Sequence, residues 1–237
     1  MIDTRPARRG EAPVHDSAGS PVDTRLDTLF HRRLSRPITR LALALGLTAN
    51  QVSLASLLVG LLAVWSFWHA TPGTALAGLV LYAAAVILDH SDGEVARLTH
   101  SESRLGEWLD VTSDTVIHAL LVLAMGATAQ ARAGRAGLGL GALAASGVVV
   151  SAMIAKTSPR TTAGGVGGLL DALGNRDGFY AMLLIFILAL TFHPGLLPLL
   201  MIVVTAGSHA YWITRLAYRL MSGGAIAAPP RRPPPSS

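Results

Sequence analysis

The sequence predicts an all-α integral membrane protein: a bundle of six transmembrane helices preceded by an amphipathic helix at the membrane interface. Two observations support this prediction. Hydrophobic residues make up 51% of the chain and charged residues only 14%, whereas a typical soluble domain carries about 25% charged residues. Apolar stretches close to the ~20 residues that a membrane span needs also recur along the chain. They lie near 50–69, 74–98, 107–131, 137–157, 178–193 and 195–220.

The segments around these spans have distinct compositions. The N-terminal tail is polar, and the segment after it places Leu, Phe, Ile and Arg at helical spacing, with Pro37 as an expected break. Thr48 and Asn50 are expected to cap the first spanning helix. The C-terminal tail is rich in proline. The predicted division is a disordered tail over 1–22, an amphipathic juxtamembrane segment over 23–46, a six-helix domain over 47–221 and a disordered tail over 222–237.

The basic residues predict the orientation of the bundle. Of the nineteen Lys and Arg residues, all except Arg132 and Arg135 fall on the side of the N-terminus in the six-span arrangement. Because cytoplasmic loops carry the excess of Lys and Arg, this side is predicted to be cytoplasmic. We therefore expect a multi-pass protein of the cell membrane, with the end of the second span and the start of the third at the cytoplasmic face.

That face carries an unusual cluster of acids. Asp89 and Asp92 are three residues apart, and Asp110 and Asp114 are four apart, so each pair shares one face of a helix. Four carboxylates around one small volume require compensating cations. Hard oxygen ligands in a chain without Cys suit Mg²⁺ or Mn²⁺. The spacing therefore predicts a two-metal site with all four aspartates as ligands.

The aspartates belong to a longer pattern. It reads Asp89-x-x-Asp92-Gly93-x-x-Ala96-Arg97, then eight residues, then Gly106-x-x-x-Asp110-x-x-x-Asp114. This pattern resembles the signature of the CDP-alcohol phosphotransferases. The run from Leu47 to Ser53 is also similar to the start of that family's first span, except that Ala49 stands where proline is usual.

The resemblance implies a chemistry. Family members transfer a substituted phosphate from a CDP-linked alcohol to a second alcohol and release CMP, and the usual donor is CDP-diacylglycerol in phospholipid biosynthesis. Metal ions on the aspartates would clamp the pyrophosphate, and Asp114, the last carboxylate, is placed to take the proton of the acceptor hydroxyl. The resemblance further implies that the CDP moiety is surrounded by Asn50, Ser53, Gly93, Ala96, Arg97 and Gly106.

Charged residues outside the motif fall into two groups. Arg160 and Arg176, with Lys156, are expected near the same face, where a phosphorylated acceptor could bind; the positive-inside rule alone would also place them there. Glu94, Glu102 and Glu107 fall outside the motif and are expected to be surface residues.

Alternative functions remain open. Acceptors in the family include glycerol phosphate, serine, inositol and inositol phosphate, so an inositol-phosphate-type transferase making a soluble or lipid phosphodiester is the main alternative. An Mg²⁺-dependent membrane prenyltransferase is disfavoured because the aspartates form one compact cluster. A cation transporter is disfavoured because the other predicted spans lack mid-span acids. Membrane lipid is an expected partner and nucleic acid is not, and the resemblance implies a possible homodimer.

Overall fold

The computed structural model describes residues 32–134, 136–157 and 176–221. Regular structure in these ranges is entirely helical, as the sequence predicts. In chain order the elements are α1 (Arg32–Ala44), α2 (Ala49–Trp68), α3 (Pro72–Leu98), α4 (Arg104–Ala133), α5 (Gly137–Thr157), α6 (Arg176–Phe192), a 3₁₀ turn (Pro194–Leu196) and α7 (Leu197–Met221). The predicted tails, 1–22 and 222–237, lie outside the described residues.

Five of these helical segments are long and apolar enough to cross a membrane. They are Ala49–Trp68, Pro72–Leu98, Arg104–Ala133, Gly137–Ala155 and Pro194–Ala217. The prediction of a multi-pass, all-α membrane protein is thus confirmed. The count of six spans is not confirmed, because α6 is apolar but has only 17 residues, short of the ~20 that a perpendicular span needs.

Side-chain caps fix where the helices of the site begin. Thr48 precedes α2, accepts a hydrogen bond from the Gln51 backbone N–H, and donates its own N–H to the Gln51 side chain. The cap predicted at this position is therefore confirmed. Ser103 caps α4 by a single hydrogen bond, since its Oγ accepts from the Gly106 N–H at 3.0 Å.

The first helix contradicts two expectations from the sequence. Pro37 does not break α1, which runs on to Ala44. Glu94 of α3 is not a free surface residue, because it accepts hydrogen bonds from Ser35 Oγ (3.0 Å) and Thr39 Oγ1 (2.7 Å) of α1. Ser35 and Thr39 are four residues apart and share one buried face, so these bonds offset the backbone hydrogen bond that Pro37 cannot make.

The remaining helices pack around an apolar core. The α2 helix lies along α3 and α4, and α5 lies between α4 and α7. Gly126 of α4 and Gly141 of α5 let two backbones meet: a Cβ added to Gly126 would lie 2.6 Å from the Gly141 Cα. Close contact through small residues is how helices associate inside a membrane. It fixes the end of α4 that is remote from the aspartates.

Candidate active site

A cavity of about 1450 Å³ opens where α3 ends and α4 begins. Because the turn between these helices is short, the end of α3 lies beside the start of α4. The four predicted aspartates therefore line the same wall of the cavity. The cavity is lined by Asp89, Asp92, Asp110 and Asp114 together with Asn50, Ser53, Gly93, Ala96, Arg97, Gly106 and Arg176. Arg160 lies outside the described residues, as does the side chain of Lys156.

Three of the aspartates make direct side-chain contacts. Asp92 is buried, and its Oδ2 accepts a hydrogen bond of 2.5 Å from Ser53 Oγ of α2. The carboxyl groups of Asp89 and Asp110 lie within hydrogen-bonding reach of each other across α3 and α4. Two carboxylates so close repel each other unless a proton or a cation lies between them. The α3 and α4 pairs therefore do converge on one small volume.

Arg176 occupies the centre of this cluster. Its Nη2 donates to Asp89 Oδ2 at 2.6 Å and to Asp114 Oδ2 at 2.9 Å. Its Nη1 lies 3.2 Å from His90 Nδ1. One guanidinium thus connects α3, α4 and the first residue of α6. Sequence reasoning placed Arg176 at this level of the membrane but missed its ion pairs with the aspartates.

The residues fit a divalent cation in their chemistry, although not as a ready-made shell. Within the described ranges, no three acidic or imidazole side chains are arranged to hold a metal ion together. The Arg176 guanidinium contacts both Asp89 and Asp114. The donors themselves are hard carboxylate oxygens in a crowded negative cluster, which is the set that Mg²⁺ and Mn²⁺ prefer.

A polar pair supports the wall behind Asp114. His118, one turn further along α4, has its Nδ1 2.6 Å from the Asp114 carbonyl oxygen and its Nε2 2.8 Å from the Tyr82 hydroxyl. Because a carbonyl can only accept, Nδ1 carries the hydrogen and Nε2 accepts from Tyr82. Phe179 of α6 packs against the imidazole at 4.3 Å between ring centroids. The interaction ties α3, α4 and α6 together beneath the aspartates.

The cavity continues away from the aspartates into an apolar region between α4, α5, α6 and α7. Its lining there is aliphatic and aromatic: Val122, Met125, Val148, Ile185, Phe186, Leu200 and Val204. A single cavity therefore has a charged end beside the helix termini and an apolar end within the bundle. This shape suits an amphiphilic ligand.

Comparison with known proteins agrees with the motif. A sequence profile of the CDP-alcohol phosphatidyltransferase family matches residues 46–212. The CDP-diacylglycerol–serine O-phosphatidyltransferase of Mycobacterium leprae is 39% identical over 82 residues, which are 35% of this chain and 26% of that protein. The archaetidylinositol phosphate synthase of Pyrococcus horikoshii is 33% identical over 93 residues, 38% of this chain and 48% of that protein.

These curated relatives are thus matched over no more than about half of their own length. The family profile, in contrast, covers well over half of this chain and includes every aspartate of the motif. The chain belongs to the CDP-alcohol phosphatidyltransferase family.

Proposed function

We propose that this protein is a membrane transferase of the CDP-alcohol phosphotransferase type. It moves a substituted phosphate from a CDP-linked alcohol to the hydroxyl of a polar acceptor and releases CMP. The observation that carries the proposal is that the four motif aspartates line one cavity, with Arg176 among them. Membership of the family supports the same reaction. We place the protein in the cell membrane, with this cavity at the cytoplasmic face.

The donor is CDP-diacylglycerol. Its diphosphate fits the charged end of the cavity, and its acyl chains fit the apolar end between α4, α5, α6 and α7. A soluble CDP-alcohol has no apolar group to occupy that end. We therefore favour a donor with a lipid tail and a phospholipid product.

Members of the family generally depend on divalent metal ions. Asp89, Asp92 and Asp110, with Asp114, are proposed to hold two Mg²⁺ or Mn²⁺ ions, which supply charge neutralisation on the pyrophosphate. The Ser53 hydroxyl holds Asp92 in position by its hydrogen bond.

Close packing shapes the proposed nucleotide site. Gly93, Ala96 and Gly106 carry little or no side chain, so a cytidine can approach the backbone there. A Cβ added to Gly106 would lie 3.2 Å from Ser103 Oγ and 3.9 Å from Asn50 Oδ1. Asn50, Ser53 and Arg97 are assigned to the CDP moiety with these small residues.

Asp114 is proposed as the general base. A carboxylate oxygen of Asp114 takes the proton of the acceptor hydroxyl, the acceptor oxygen forms a bond to the phosphorus that carries the diacylglycerol, and the bond from that phosphorus to the bridging oxygen breaks. CMP leaves with the electron pair. Asp114 is the more exposed of the two carboxylates that Arg176 contacts, at 32% for its side chain against 11% for Asp89, so an acceptor can reach it.

Arg176 limits the choice of acceptor. We propose that it binds an acceptor phosphate together with Arg160. A phosphorylated alcohol, such as inositol phosphate or glycerol phosphate, is therefore the acceptor we favour. One of the two relatives is named for inositol phosphate and the other for serine. Serine or another unphosphorylated alcohol is the second candidate. A homodimer remains a proposal from the family resemblance.

The test is CMP release from CDP-diacylglycerol by the purified protein in detergent, with and without Mg²⁺ and with a panel of acceptors. Asp110→Asn should reduce turnover by orders of magnitude. Glu107→Gln is the matched control, because Glu107 is an exposed acid one turn earlier on α4. Unchanged turnover in Asp110→Asn would refute the metal-ligand assignment. Absence of CMP release with every acceptor would refute the proposed reaction.

A further inference from the structure

We infer that Arg176 is the resident counter-ion of the metal-free site, and that a metal ion binds by displacing its guanidinium from Asp89 and Asp114. This inference rests on the proposed metal site, but it concerns a different property: the competition between an internal cation and an external one. Its evidence is the position of Arg176 within the acidic cluster.

Arg176 compensates the negative charge of the acidic cluster. A single nitrogen, Nη2 of Arg176, serves carboxylates from two helices at 2.6 and 2.9 Å. The Asp89 side chain is 11% exposed and that of Asp114 is 32% exposed, so neither is fully solvated. Asp110 adds a further carboxyl next to Asp89. Acids grouped in this way are costly without a cation, and Arg176 supplies one from within the chain.

The guanidinium and a metal ion would need the same two carboxylates. Mg²⁺ and Mn²⁺ take carboxylate oxygens as ligands, so an ion at this site would be held by oxygens of Asp89 and Asp114. The guanidinium already contacts the Oδ2 atoms of both residues. A divalent ion and a guanidinium also repel each other at such short range. The two cations therefore compete for the same pair of carboxylates.

The guanidinium can leave the carboxylates through movement of the Arg176 side chain. Arg176 is the first residue of α6, and its long side chain reaches the aspartates from the helix end. Rotation of that side chain alone can withdraw the guanidinium while α6 stays packed through Phe179 on His118.

Metal binding and anion binding at this site are thermodynamically linked. Arg176 is engaged by carboxylates in the metal-free form and is released to the cavity in the metal-loaded form. An anion that binds the released guanidinium therefore strengthens metal binding, and the metal strengthens anion binding by the same factor. Metal and a phosphorylated acceptor would therefore bind cooperatively.

The experiment measures Mn²⁺ binding in detergent without any substrate, by electron paramagnetic resonance of free Mn²⁺ and by the melting temperature. Arg176→Gln should lower the melting temperature of the metal-free protein. The same variant should bind Mn²⁺ on the order of tenfold or more tightly than the wild type. Arg104→Gln is the control, because Arg104 is an exposed arginine that lines the same cavity.

Tighter Mn²⁺ binding in Arg176→Gln but not in Arg104→Gln supports the exchange. Equal or weaker binding in Arg176→Gln overturns it, as does an equal gain in both variants, which would reflect net charge alone. Arg176→Met, which keeps an unbranched chain without charge, provides the same comparison if Arg176→Gln does not fold. Loss of Mn²⁺ binding from the wild type itself, or no effect of Asp110→Asn on it, would instead refute the proposed metal site.

Discussion

The hydrogen bonds from α1 to Glu94 allow a quantitative prediction for the docking of the interfacial helix. Ser35 and Thr39 are 0% and 3% exposed, and both donate to the Glu94 carboxylate. A hydrogen bond to a charged group contributes about 1.5–3 kcal/mol. Glu94→Ala removes both bonds, although each hydroxyl can fall back on a backbone carbonyl within α1. We expect a net loss of about 2–4 kcal/mol in the docking of α1 on α3.

The assay is hydrogen–deuterium exchange of the α1 amides in detergent micelles or nanodiscs. If these amides exchange through local detachment of α1, a loss of that size lowers their protection by about 30- to 10³-fold, since ~1.4 kcal/mol is a factor of ten. Glu94→Gln keeps one acceptor oxygen and should show roughly half the effect in free energy.

Glu107→Ala is the control, because Glu107 is exposed and lies on α4. Exchange in α2 should change little in Glu94→Ala, since α2 has its own cap at Thr48. Wild-type protection of α1 in Glu94→Ala would refute the reasoning, because the two bonds would then contribute nothing to docking. Equal deprotection of α1 and α2 would show general unfolding and would refute a local role for Glu94.

Three further predictions concern the site and the bundle. Asp114→Asn should lower kcat by roughly 10²–10⁴ while donor affinity stays within about tenfold; near-normal kcat, or lost donor binding, would contradict its role as base. Arg176→Ala should raise KM strongly for a phosphorylated acceptor and little for the donor, and equal changes in both constants would argue that Arg176 only sets topology. Gly126→Ala should lower the melting temperature by several degrees, because the new Cβ would lie 2.6 Å from the Gly141 Cα. Gly139→Ala, with nothing within 4 Å, should not, and equal melting temperatures for the two variants would contradict this packing.

The sequence predicts those features that depend on local spacing. Helical periodicity is enough to put Asp110 and Asp114 on one face, and apolar length is enough to identify the spans, because both follow from the geometry of a single helix. The cap at Thr48 is also local, since its partner Gln51 is three residues away. Each of these predictions needs no knowledge of how helices pack.

The features that the sequence does not reveal depend on partners far along the chain. Glu94 is bonded by residues 55 and 59 positions earlier, and Arg176 contacts an aspartate 87 positions earlier. Neither separation has a periodic signal. The Pro37 prediction fails for the same reason, since a proline rule that treats α1 as an isolated helix ignores its contacts with α3. The predicted number of spans also depends on α6, which is apolar but has only 17 residues.

Helix association in a membrane gives the polar contacts at the site a second role. Lipid tails are as apolar as the helix surfaces, so close packing and interhelical hydrogen bonds hold the bundle together. The α4–α5 glycine contact holds one end of the bundle together. At the other end, hydrogen bonds cross-link four helices: one from Ser53 to Asp92, and two from Arg176 to Asp89 and Asp114.

The proposed catalytic aspartates are therefore structural contacts as well. A loss of activity on replacing Asp92 would combine a missing metal ligand with a missing link from α2 to α3. Ser53→Ala separates the two effects, because it removes the link and keeps the carboxylate. If metal affinity in Ser53→Ala stays near the wild-type value while Asp92→Asn loses it, the carboxylate itself binds the ion. If both variants lose it equally, Asp92 acts mainly by holding the helices in place.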